Sequence, residues 1–173
     1  MEEKVILVDE QDQEIGEGEK MDVHREGRLH RSFSIFIFNS KGEMLLQKRA
    51  KSKYHSGGLW TNACCGHPHP GEKTQEAAVR RLKEEMGFDC ELQEILQFTY
   101  KVKLDHGLWE HEVDHTFRGV YDGEIHPNPD EADDFKWVGR ITLLQDVREH
   151  PNHYTEWFKI ALERVFDRTS LQL

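Results

Sequence analysis

GHPHPGEKTQEAAVRRLKEEMGF, residues 66–88, is the stretch that organises the rest of the chain. Its second half has a helical period. Ala78, Val79, Leu82 and Met86 fall on one stripe, Thr74 is placed to cap the start and Gly87 to end it, so the pattern predicts a helix over 74–86. Its first half has no period and is rich in Gly, Pro and His, which reads as loop. Glycine, five residues, Glu72, seven residues and then Arg80-Arg81-Leu-Lys-Glu-Glu85-Met-Gly-Phe88 make a long, ordered spacing of charged groups.

Working outward, Val5–Asp9 reads as a strand with a short return to Gly16. Ser32–Asn39 is an apolar strand, and the Asn39–Gly42 turn leads into Glu43–Lys48, which predicts a hairpin. Residues 50–70 lack any period. A loop of that length with Trp60, two cysteines and His67 is expected to be ordered and functional. Cys90–Leu104 and Leu108–Tyr121 flank Asp105-His-Gly107 as a long hairpin, Ala132–Val138 is a further strand, and helices are expected over about 142–149 and 154–168. This is an α+β arrangement, a mostly antiparallel mixed sheet flanked by helices. The 173 residues contain no repeat or linker, so one domain over 1–173 is expected.

Charge narrows the function. Against 33 Asp and Glu there are 23 Lys and Arg, a net charge of −10. Such a surface repels polyanions, so neither nucleic acid nor an anionic membrane is expected as a partner. The same charge disfavours a phosphorylated ligand on composition alone. Cys64, Cys65 and Cys90 are too few for a disulfide framework, which suggests a reducing, cytoplasmic setting. MEEKVILVDE has neither the basic nor the apolar region of a signal peptide, and FSIFIF is too short to cross a bilayer.

Two clusters carry chemistry. On a strand through 109–117, alternation puts Glu110, Glu112 and Asp114 on one face and Trp109, His111, Val113, His115 and Phe117 on the other. The aromatic face is expected to be the core side. Carboxylates about 7 Å apart suit a hard cation or acid–base work, or form an exposed acidic face. Around Thr61-Asn-Ala-Cys-Cys-Gly-His-Pro68, a thiol, a glycine and an imidazole suit a metal, an activated nucleophile or simple packing. His24 and His30, read alone, are solvated loop histidines.

The spacing from Gly66 to Phe88 resembles the Nudix box, GxxxxxE followed after seven residues by REUxEExGU. Arg81 stands where the hydrolases carry a second glutamate, which removes a usual metal carboxylate. Together with Thr61-Asn-x-x-Cys65-Gly-His67-Pro and Glu110-x-Glu112, the chain resembles the type I isopentenyl-diphosphate isomerases, a Nudix-fold branch, from about Val5 to Trp157. A Nudix diphosphate hydrolase and a non-catalytic Nudix-like binding module are the competing readings.

The resemblance implies a site. His24, His30, His67, Glu110 and Glu112 match the ligands of one divalent ion, Mn²⁺, Zn²⁺ or Fe²⁺ by donor type. Glu85 and the Cys65 carbonyl match those of a Mg²⁺ ion on the diphosphate. Cys65 and Glu112 match the two catalytic groups, and Tyr100 a tyrosine that orients a proton at Glu112. Lys20, Arg49, Lys53 and Arg81 match the basic groups around the diphosphate. Trp157 matches an indole placed to stabilise a carbocation. Cys64 is expected to pack and His69 to be solvated. The substrate implied is a small isoprenoid diphosphate, and the chain is expected to act as a monomer.

Overall fold

The apolar run around Phe33–Phe38 becomes the middle of a mixed sheet. In the computed structural model, which describes residues 2–170, the strands are β1 (Lys4–Val8), β2 (Glu14–Glu19), β3 (His30–Phe38), β4 (Met44–Arg49), β5 (Trp60–Thr61), β6 (Cys64–Gly66), β7 (Gln93–Lys103), β8 (Trp109–Val120) and β9 (Ala132–Val138). The helices are α1 (Lys20–Glu26), α2 (Thr74–Met86), α3 (Arg140–Glu149) and α4 (Glu156–Ser170). Met1 and residues 171–173, the outer ends of the expected 1–173 domain, lie outside the described residues.

One edge of β3 is shared in turn by β1 at His30, β6 at Phe33–Ile35 and β4 at Phe38, all antiparallel. The other edge pairs with β8 in parallel along its whole length, from His30↔Glu112 to Phe38↔Val120. β7 then pairs antiparallel with β8, the long hairpin expected from sequence. The β3–β4 pair is not a continuous hairpin. Its strands meet only at Phe38↔Met44, because β4 turns away to pair with β9 and β5.

Alternation along β3 feeds two cores. Phe33, Ile35 and Ile37 pack with Ala77, Ala78, Leu82 and Met86 of α2, while Phe36 and Phe38 pack with Phe158, Leu162 and Phe166 of α4. The α2 stripe is thus the apolar face read from sequence. Its N-cap is Lys73 rather than Thr74: Lys73 is extended and makes no side-chain cap bond, and Thr74 is already helical. Gly87 closes the helix in the left-handed region, and a Cβ there would lie 2.4 Å from the His126 carbonyl oxygen.

α1 has no counterpart in the sequence reading, because seven residues are too few to display a period. It is held at its start by Glu19, whose carboxylate accepts from the Met21 and Asp22 amides, and at its end by Gly27. The expected loop over 50–70 also contains the two short strands β5 and β6.

Candidate metal centre and active-site cavity

β6 and β8 occupy opposite edges of β3, and side chains from both reach one cavity. Cys65 lies opposite Ser34, and Glu112 opposite His30. They line a cavity of about 230 Å³ together with Lys20, Arg49, Lys53, Arg81, Glu85, Tyr100 and Trp157. Every residue expected at the substrate or catalytic position therefore reaches one space. Among its lining residues are six carboxylates (Glu3, Glu85, Glu110, Glu112, Asp114, Glu131) and four cations (Lys20, Arg49, Lys53, Arg81).

The β8 faces correct one expectation. Glu110, Glu112 and Asp114 are 5%, 3% and 2% exposed, while Trp109, His111 and His115 on the opposite face are only half-buried. Val113 and Phe117 do enter the core, but the carboxylate face is the more deeply covered one, because the cavity and its histidines close over it.

His24 and His30 are fully buried rather than solvated. α1 delivers His24 and the start of β3 delivers His30. One ligand atom from each of His24, His30, His67 and Glu110 lies within 4.8 Å of all the others. Glu112 joins them, with Oε2 at 3.1 Å from His67 Nε2 and 3.7 Å from His30 Nε2. His24 Nδ1 faces the Lys20 carbonyl at 2.6 Å and His30 Nδ1 faces the Arg28 carbonyl at 2.9 Å, so both rings direct Nε2 inward. His24 Nε2 and Glu110 Oε1 lie against each other, yet neither makes a hydrogen bond.

Two orphaned buried atoms in a His₃Glu₂ set are what a divalent cation satisfies, and the residues present fit it. Burial pushes His24, His30 and His67 down to about 4, which keeps their ligand lone pairs free. Burial and repulsion from Glu112 raise Glu110 well above the usual carboxylate range. Against its own burial, hydrogen bonds with Glu110 and His67 hold Glu112 well below that range.

Glu85 is buried, accepts from Gln47 Nε2 at 2.9 Å and pairs with Arg81 at 2.5 Å. The other carboxylates of its loop–helix segment serve the fold. Glu72 takes a two-pronged contact from Arg80 at 2.7 and 3.0 Å, and Glu84 contacts Arg80 and Arg81 at the surface.

The Cys65 thiol is held on three sides. Trp157 Nε1–H donates to its sulfur at 3.2 Å, the thiol donates to Asn62 Oδ1 at 3.3 Å, and Ser34 Oγ lies 3.6 Å away. Asn62 cannot turn over, because its Nδ2 already donates to the Ile35 and Cys64 carbonyls. Ser34 donates in turn to Asp114 at 2.6 Å, and Ser32 and Thr116 also donate to Asp114. Burial, with a contribution from the Asp114 charge, pushes the thiol up to about 12, so it stays neutral. Burial and the Glu112 charge push Asp114 up to about 7. Tyr100 donates a short hydrogen bond to Glu112. The Arg49 guanidinium lies 5.2 Å from the centre of the Trp157 ring.

Sequence reasoning gave no role to Asn62, Asp114, Gln47, Tyr54, His55 or Glu131. Asn62 stood inside a quoted motif and Asp114 on the quoted carboxylate face. The others carry no local signal. Cys64 packs in the core and His69 is exposed, as expected.

Residues 28–158 match the NUDIX domain family. The isopentenyl-diphosphate Delta-isomerase 2 of Aromatoleum aromaticum is 53% identical over 171 residues, covering 99% of this chain and 90% of that protein. The isopentenyl-diphosphate Delta-isomerase of Serratia proteamaculans is 51% identical over 158 residues, covering 91% and 88%. Among solved structures, a Deinococcus radiodurans protein superimposes with a TM-score of 0.72 at 21% identity, covering 85% of this chain and 90% of that one. That last likeness concerns the fold alone.

Proposed function

This chain belongs to the isopentenyl-diphosphate Delta-isomerases, within the Nudix fold, and from that premise we propose how its cavity performs the conversion. The protein is an isomerase that interconverts isopentenyl diphosphate and dimethylallyl diphosphate, and it depends on divalent metal. The observation that carries the mechanism is that Cys65 and Glu112 reach one cavity from opposite edges of β3. An alkene lying between Cys65 and Glu112 then has a proton-carrying group on each side.

Moving a double bond by one position requires a proton added at one carbon and another removed two carbons away, through a tertiary carbocation. Cys65 and Glu112 carry those two protons, and no atom is gained or lost overall. Tyr100 orients the Glu112 carboxylate by donating a hydrogen bond to it. Asn62 and Trp157 hold the sulfur, and the Trp157 ring stabilises the developing cation by roughly 0.5–2 kcal/mol. Burial of Glu110, Glu112 and Asp114 excludes the water that would trap the cation.

His24, His30, His67, Glu110 and Glu112 are the residues to hold Mn²⁺ or Zn²⁺, and Glu85 with the Cys65 carbonyl those to hold Mg²⁺. When bound, these ions set the proton affinity at Glu112 and neutralise the diphosphate. Lys20, Arg49, Lys53 and Arg81 bind its oxygens. We further take the chain to work as a single-domain monomer in the cytoplasm, without nucleic-acid or membrane partners. The acidic net charge supports that reading, and no helix among the described residues is long and apolar enough to cross a membrane.

The test is incubation with isopentenyl diphosphate, Mg²⁺ and Mn²⁺ in D₂O. Allylic product with deuterium uptake and no released phosphate is expected. Phosphate release without isomerisation would sink the proposal in favour of hydrolysis, and tight metal binding without turnover would favour a binding module.

A further inference from the structure

The cations at the cavity mouth are not waiting free. Glu131, on the turn before β9, places Oε2 at 2.5 Å from Lys53 Nζ and Oε1 at 3.2 Å from Arg81 Nη2. One carboxylate thus spans two cations that come from separate segments, the loop after β4 and helix α2. Glu131 itself lines the cavity. Its backbone is fixed independently of its side chain: its amide donates to Asn128 and its carbonyl accepts from Ala50, at the base of the loop that carries Lys53. The side chain is about one-fifth exposed, as are those of Lys53 and Arg81, so the three sit at a boundary that an entering ligand can reach.

From this geometry we propose that Glu131 is an internal competitor for the diphosphate site, an anion that the diphosphate must displace from Lys53 and Arg81 and that recaptures them when the product leaves. The inference rests on the reading that Lys53 and Arg81 bind the diphosphate.

Two oxygens bound to two cations imitate the way neighbouring phosphate oxygens would engage the same pair. An intramolecular anion is present at high effective concentration, so it weakens any ligand that needs both cations. Isomerisation gives this a purpose, because substrate and product carry the same diphosphate. Every contribution to diphosphate affinity slows product departure as much as it helps substrate arrival. Glu131 lowers the affinity for both, which favours turnover over retention.

The experiment is calorimetric titration of the full-length, metal-loaded protein with inorganic diphosphate, in the Mg²⁺ and Mn²⁺ buffer used for turnover. Glu131→Gln keeps the shape and removes the charge. Its Kd is expected to fall about 5- to 10-fold, and KM and kcat for isopentenyl diphosphate to fall together. Glu131→Asp, which keeps the charge, is expected to stay within about threefold of the parent. Lys53→Met separates this inference from the reading beneath it, because it should weaken diphosphate binding. If Lys53→Met has no effect, the diphosphate site itself is misplaced. If Lys53→Met weakens binding while Glu131→Gln leaves it unchanged or weaker, the competitor role is overturned and Glu131 supports the site or ligates metal instead.

Discussion

His24→Ala tests the metal centre most sharply, because His24 Nε2 is buried beside Glu110 Oε1 and neither atom has a hydrogen-bond partner. Leaving such an atom unsatisfied costs roughly 1–3 kcal/mol, and a metal ion relieves both. Binding to the folded state alone stabilises it by about 2.7 kcal/mol at a free metal concentration of 100 Kd. For a domain of this size each kcal/mol is worth roughly 2–4 °C, so Mn²⁺ or Zn²⁺ should raise the melting temperature by about 5–11 °C. Removing one imidazole from a set of five ligands should cost on the order of 100-fold in affinity, the upper end of what losing a supporting partner does. At the same metal concentration the variant then sits near its Kd, and the gain shrinks to about 0.4 kcal/mol.

The assay is paired thermal melts with and without metal, read beside metal content by elemental analysis. The shift is compared rather than the melting temperature itself, since alanine also opens a cavity at a fully buried position. His69→Ala is the control, because His69 is exposed and outside the cluster. An undiminished shift and full metal content in His24→Ala would refute the assignment of His24 as a ligand.

Three further outcomes follow. Cys65→Ala and Glu112→Gln should each abolish isomerisation while circular dichroism shows the fold intact; substantial turnover in Cys65→Ala would remove the sulfur from the mechanism. Tyr100→Phe deletes the hydrogen bond to Glu112, worth roughly 1.5–3 kcal/mol for a charged acceptor, so kcat should drop about 10- to 100-fold with little change in KM; an unaltered kcat would make Tyr100 a packing residue. The metal-free protein should lose stability as pH falls from about 6.5 toward 5, measured by denaturant titration. Burial holds His24, His30 and His67 near 4 and His55 near 2, whereas the unfolded chain protonates all four near 6.5, so the unfolded state takes up more protons. Asp114, raised to about 7 by burial, and Glu110, raised by burial and the Glu112 charge, oppose with one proton each, which leaves the four histidines in the majority. Stability that is flat or rises over that window would contradict the buried neutral cluster.

What the sequence made legible was local or periodic. The α2 stripe, the β7–β8 hairpin and β9 over 132–138 announce themselves through spacing and turn residues. Alternation told which β8 residues share a face, but not which face would be covered. Coverage depends on His24 and His30, which arrive from α1 and β3 some eighty residues earlier in the chain. α1 itself was invisible because it is shorter than two helical turns. Glu131 and Gln47 carry no motif, since their partners lie 78 and 38 residues away in sequence. Asn62 was quoted but mute: its role needs the fold, which pins its amide on two carbonyls and leaves one oxygen for the thiol.

The net charge of −10 at first argued against a phosphorylated ligand, and the cavity sharpens that conflict before resolving it. Six lining carboxylates face four cations, so the metal-free cavity is no welcoming place for a diphosphate. Three of the four cations are already paired with carboxylates: Lys20 with Glu3 at 3.0 Å, Lys53 with Glu131, and Arg81 with Glu84, Glu85 and Glu131, while Arg49 donates to the His55 carbonyl. On the proposed reading, divalent ions on the histidine cluster and on Glu85 reverse that balance. The acidic surplus and the phosphate ligand are therefore parts of one design. On that reading the carboxylates recruit the metals, the metals offset the carboxylates, and the diphosphate binds to what remains. Bulk charge governs which macromolecules approach the surface, whereas the pairing of individual groups governs what enters the cavity.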